Sequence, residues 1–170
     1  MRRKTPYAYW HFVGILVIAT ITIIAQAEGP PTPQGVISGK AWTGIGGTAV
    51  ADLTGQASFP DSPDVAVYLP YFEWNPTGDI ATAPGDWEED YGTQIVGYFY
   101  PPQTASYYFA ISADDNAELY LSTDDNPENK KLIALETVWS NAREYTASSG
   151  GSDTSAKLSD TFEASEWPDR

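Results

Sequence analysis

No cysteine occurs anywhere in the chain, and its one histidine, His11, stands close to the start. Without cysteine there is no disulfide, so the fold must hold on its core alone. An exported domain built that way fits a bacterial secreted module better than an animal one. With no histidine beyond His11, the body of the chain cannot carry a Ser-His or Cys-His nucleophile, a histidine base or the usual zinc sites. Basic residues are also scarce, 9 against 23 acidic, for a net charge of −14. That balance excludes nucleic acid and anionic membrane surfaces as partners met through a basic patch. No glycine loop with phosphate-binding spacing is present; GIGG at 44–47 is spaced as a plain loop. Helical periodicity is almost absent.

What the chain does have begins with a leader pattern. Arg2, Arg3 and Lys4 precede an apolar run at 12–24, and Ala25-Gln26-Ala27 supplies small residues where a signal peptidase reads. The run is shorter than the roughly 20 residues of a spanning helix. Residues 1–27 are therefore expected to be a signal peptide cleaved after Ala27, and the product to be secreted or held at the cell surface, with no membrane partner afterwards. Residues 28–35 read as a proline-rich linker and 36–170 as a single domain. None of the 23 acidic residues lies in the leader and three of the nine basic ones do, so cleavage moves the charge to −17.

The domain alternates as strands do. Ile95, Gly97 and Phe99 fall on one face and Val96, Tyr98 and Tyr100 on the other. Tyr107, Phe109 and Ile111 share a face, as do Leu119 and Leu121. Residues 132–135 are apolar on both faces, which predicts a central strand. Asp-Asp-Asn at 114–116 and Asp-Asp-Asn-Pro at 124–127 are turn chemistry between these runs. Residues 49–53 suggest one helical turn. SSGGSD at 148–153 reads as a flexible loop, and beyond it only Leu158, Phe162 and Trp167 look like core. The fold class this predicts is all-β, an antiparallel sandwich or barrel. Tyr98, Tyr100, Tyr107 and Tyr108 are expected as core and cross-strand partners rather than a binding platform.

Five stretches together resemble a known family: VISGKAWTGIGGTAVADL at 36–53, YGTQIVGYFYPP at 91–102, SYYFAISADDNAELYLS at 106–122, DDNPENKKLIA at 124–134 and WSNAREY at 139–145. They are similar to the β-barrel module named after the N-terminal fragment of anthrax protective antigen, the PA-fourteen domain, in the form found in large exported bacterial proteins. The resemblance implies a carbohydrate-binding or adhesive module carried beside other domains of a larger protein. In the sugar-binding yeast relatives two consecutive aspartates, joined by an unusual peptide bond, hold a calcium ion that coordinates sugar hydroxyls. Asp114 and Asp115 match them. The family's further ligand comes from a later loop, and its closing strands follow the point where this sequence stops, so the C-terminal strands are expected to be missing.

The site expectations are these. Asp114 and Asp115 are the metal ligands, with calcium as the cofactor. Asn116 and Trp87 are weaker ligand-binding candidates; the competing roles are a hairpin turn for 114–116 and rim packing for Trp87. Asp124 and Asp125 are turn residues. The partner is a glycan or polysaccharide. No enzymatic activity is expected, because 23 acidic residues make some close carboxylate pair inevitable without making a glycosidase. The alternatives are a structural or adhesive spacer and, more distantly, a glycosidase fragment.

Overall fold

A computed structural model describes residues 8–14, 17–20, 37–75, 87–101, 103–147 and 149–163. In chain order the elements are β1 (Ala8–Gly14), β2 (Val17–Thr20), β3 (Ile37–Thr43), α1 (Val50–Thr54), β4 (Val65–Leu69), β5 (Tyr91–Phe99), β6 (Ser106–Tyr107), β7 (Ala110–Ala113), β8 (Ala117–Ser122), β9 (Lys131–Glu136) and β10 (Phe162–Glu163). A short 3-10 turn, Pro127–Asn129, precedes β9. The chain is all-β and antiparallel, as its alternation predicts. A six-stranded sheet runs β4-β3-β5-β1-β8-β9, and two ribbons, β6–β10 and β2–β7, lie outside it.

The core forms where the alternation says it should. Ile95, Leu119 and Leu121 are buried on the sheet, and Tyr107, Phe109 and Ile111 are buried in the same cluster. Phe99 meets Tyr107 and Phe109 edge-on at ring distances of 5.6 and 6.0 Å, and Phe162 of β10 reaches Phe109 at 5.7 Å. Each such side chain contributes about 1.5–3 kcal/mol on burial. A second cluster of Trp42, Ile45, Val50 and Leu53 packs with Phe59 around α1. Gly92 admits it: a Cβ there would lie 2.8 Å from Leu53 Cδ2.

Four expectations need correction. Strand β9 is an edge of the sheet, not central, and Leu132 is exposed. Its outer side is closed by irregular chain instead, with Leu135 N–H donating to Ala156 O at 2.7 Å. Of the four tyrosines only Tyr107 is buried; Tyr98, Tyr100 and Tyr108 are exposed, because they alternate with the inward Gly97, Phe99, Tyr107 and Phe109. The loop after residue 148 is tied down: Asn141 Nδ2 donates to Ser149 Oγ at 2.8 Å, Ser155 N–H and Oγ donate to Asp153 Oδ1 at 2.9 and 2.6 Å, and Ser152 is buried. The tail holds more core than its pattern suggests, since Lys157 is fully buried while Leu158 and Phe162 are half-buried.

Parts of the expected leader stand as strands. Strand β1 pairs with β5 on one side and β8 on the other, and β2 pairs with β7. The linker at 28–35, Ser148 and Trp167 lie outside the described residues.

Candidate functional site

Strand β7 ends at Ala113, and Asp114-Asp115-Asn116 carries the chain into β8. Asp114 is exposed; Asp115 and Asn116 are half-buried. The Asp114–Asp115 peptide bond is cis. Both carboxylates belong to the short connection between β7 and β8 at the tip of the hairpin.

A second loop, the turn after β9, packs against this one. Trp139 bridges Asp114 and Ser140 N–H donates to Ala113 O at 2.7 Å. The Asn116 amide, with its nitrogen toward the loop, donates to Val138 O at 3.1 Å and Thr137 O at 3.2 Å. Gly150 lies against the Trp139 indole so closely that any side chain at 150 would collide with it. Asn116 thus braces the turn through its amide nitrogen.

A buried ion pair holds that turn from beneath. Glu136 Oε1 accepts from Thr137 N–H at 3.0 Å and Val138 N–H at 3.3 Å, and Oε2 accepts from Ser140 Oγ at 2.7 Å. Lys157 Nζ stands 3.7 Å from Glu136 Oε2, with both side chains fully shielded from water. Lys157 also donates to the carbonyls of Glu144 and Ala147 at 2.6 and 2.7 Å. A charge taken out of water must find a partner and hydrogen bonds, and both groups do. Further along, the Arg143 guanidinium grips buried Glu73 through two contacts of 2.9 Å. Sequence reasoning missed both pairs. A lone lysine in a polar tail gives no signal, because its partners lie on other elements.

The register gathers the candidates at one end of the sheet. Thr93 of β5, Gly14 of β1, Ala117 of β8 and Glu136 of β9 stand in one row. With strands about 4.8 Å apart, the start of β5 lies roughly 10 Å from the start of β8. The segment bearing Trp87, the Asp-Asp-Asn tip and the Trp139 turn all leave from that end. Trp87 itself is half-buried between Trp74 and Tyr91, with edge-on rings 5.5 and 5.3 Å away. Its ring packs against both. Asp124 is a turn residue: it accepts from Asn126 N–H at 2.8 Å and Asn129 Nδ2 at 2.7 Å.

The donor set at the tip suits a hard cation in part. Two adjacent carboxylates supply oxygen ligands of the kind calcium prefers. Among the described residues no three acidic, histidine or cysteine side chains converge as a metal cluster. Remaining ligands would have to be carbonyl, water or ligand oxygens.

Comparison with known proteins agrees with this architecture. Over 59 residues the chain is 34% identical to the mouse (Mus musculus) N-acetyl-beta-glucosaminyl-glycoprotein 4-beta-N-acetylgalactosaminyltransferase 1, covering 35% of this chain and 6% of that protein. Over 94 residues it is 29% identical to Fibrocystin of Canis lupus familiaris, covering 51% of this chain and 2% of that protein. The chain thus spans a small part of the length of these curated relatives. No solved structure matches it significantly. The PA14 domain matches residues 49–159, well over half of the chain and the whole of the candidate site, and the chain belongs to the PA14 domain family.

Proposed function

We propose that this chain is an exported carbohydrate-binding module that engages glycans through a calcium ion held by Asp114 and Asp115. The observation that carries this reading is the convergence at one end of the sheet. The two carboxylates share the hairpin tip, and the turn of Trp139, braced by Asn116, stands directly beside them. A bound calcium would supply a centre to which vicinal sugar hydroxyls coordinate. The protein's part is to hold the two carboxylates on a rigid tip and to place polar and aromatic surface around them. Recognition of this kind needs no nucleophile and no proton transfer, so the reading is of a binder and not an enzyme. The named relatives, a glycoprotein glycosyltransferase and a very long protein, are compatible with a module carried in larger architectures.

Calcium should raise the melting temperature of the full chain, because a ligand bound only by the folded state stabilises it by mass action. At a free concentration one hundred times Kd the gain is about 2.7 kcal/mol. Asp115→Ala should erase the rise and leave the calcium-free melting temperature nearly unchanged. A full chain that melts identically in calcium and in chelator would sink the calcium reading. The absence of a third acidic ligand among the described residues favours a second reading, a structural or adhesive spacer with no small ligand, and that outcome would select it.

Export belongs to the same proposal. Among the described residues no helix is long and apolar enough to cross a membrane. N-terminal sequencing of secreted protein should begin at Glu28. Recovery of a chain that starts at Met1 in the membrane fraction would overturn cleavage. Cleavage after Ala27 would also remove β1 and β2, so the exported form would need another strand to fill the slot between β5 and β8.

A further inference from the structure

A cleft of about 360 Å³ opens alongside β7, lined by Tyr108, Ala110, Arg143, Glu144, Tyr145 and Leu158 among others. Its location follows from the chain path. Arg143 N–H donates to Ser112 Oγ at 3.1 Å, two residues before Asp114, so the cleft adjoins the aspartate tip without including it. Ala110 and Leu158 form an apolar floor and are joined by a backbone bridge. Tyr108 stands exposed at the wall, turned outward by the same alternation that buries Tyr107 and Phe109.

The polar walls are held in place before any ligand arrives. The Arg143 guanidinium is fixed by Glu73 at two points, and its backbone sits at φ 63, a region that non-glycine residues seldom adopt. The Glu144 carboxylate accepts from Asn141 N–H at 3.2 Å and from the Ser149 hydroxyl. The Ser149 hydrogen bond is the main reason its carboxyl titrates below the usual range. Buried Lys157 secures the Glu144 carbonyl from below. The charge around the cleft is not positive: Arg143 is matched by Glu73, and Glu144 adds a negative charge. An anion would be repelled. A neutral ligand with hydroxyls for the polar walls and a C–H face for tyrosine fits both the volume and the charge.

We infer that this cleft is a second subsite, independent of calcium, for a neutral sugar ring. The inference takes its ligand class from the proposed function but uses none of the residues that would hold calcium. The test is a glycan array of neutral mono- and oligosaccharides probed with the full chain, in excess calcium and in EDTA. Binding that survives EDTA is expected. Tyr108→Ala should weaken it about tenfold, the scale of one aromatic contact. Thr146→Trp, which fills the cleft from an exposed position on its lining, should abolish it. Asp115→Ala should leave the EDTA-resistant binding unchanged. Thermal melts equal to the parent chain would show that each variant is folded, and with two independent variants one misfolding leaves the other to decide. Binding seen only with calcium and lost in Asp115→Ala would overturn the subsite while upholding the calcium module. EDTA-resistant binding that ignores both cleft variants, or no binding in EDTA at all, would overturn the subsite as well. EDTA-resistant binding lost in the cleft variants, with no calcium effect anywhere, would uphold the subsite and remove the calcium ion.

Discussion

Deleting residues 1–27 should abolish the sharp thermal transition of the full chain. Strand β1 occupies the middle of the six-stranded sheet and pairs at seven positions with β5 and at six with β8. Its removal separates the β4-β3-β5 half from the β8-β9 half and leaves two facing rows of backbone donors and acceptors unpaired. Each of those groups that water cannot reach costs about 1–3 kcal/mol. A handful of them exceeds the roughly 5–15 kcal/mol by which a domain is stable. Circular dichroism should therefore show a broad, shallow melt for the shortened chain, and a dye that reports apolar surface should bind it. An equally sharp melt with no dye binding would mean that β5 and β8 close on each other, or that another segment takes the slot.

Replacing Lys157 with alanine should cost about 3–5 kcal/mol, the usual penalty for breaking a buried ion pair from one side. The substitution strands the shielded Glu136 carboxylate and leaves the carbonyls of Glu144 and Ala147 without their donor. Urea titration of the full chain should show the midpoint falling with the slope unchanged. The double change Lys157→Met with Glu136→Gln should recover part of the loss. It removes both charges, fills the volume, and keeps an amide oxygen for Thr137 and Val138 N–H. A loss below about 1 kcal/mol in Lys157→Ala would show that water reaches the site and that the pair contributes little.

The sheet is largely legible in the sequence, because period-two patterning is a local property. Tyr107, Phe109 and Ile111 point inward since Ser106, Tyr108 and Ala110 alternate with them, and the polar turns at 114–116 and 124–127 mark the strand ends. The illegible parts are those fixed by distant partners. Residues 132–135 look central by composition, yet β9 is an edge, since its second side is covered by chain without periodicity. Trp87 could be read as platform or packing, and only Trp74 and Tyr91 beside it show the packing. At the candidate site the aspartates were legible as a motif. The Glu136–Lys157 pair and the bracing by Asn116 were not, since they join elements far apart in sequence. The apolar segment at 12–24 carries two meanings at once: its hydropathy is that of a leader, and part of it makes a strand.

The placement of β1 also sets a clock. It leads the chain but cannot pair until strands much later in the chain exist: Gly14 meets Ala117 across a loop of about a hundred residues. Contacts that distant form late and make folding slow, because the entropy of closing the loop comes before the reward of pairing. Throughout that interval the segment is an unpaired apolar stretch at the front of a growing chain, the form in which export machinery reads a leader. On the proposed reading of residues 1–27 as a leader, rate would decide whether the sheet or an exporter holds the segment: conditions that slow the pairing of β1 with β5 and β8 would favour transport, and conditions that hasten it would favour a sheet that keeps its first strand.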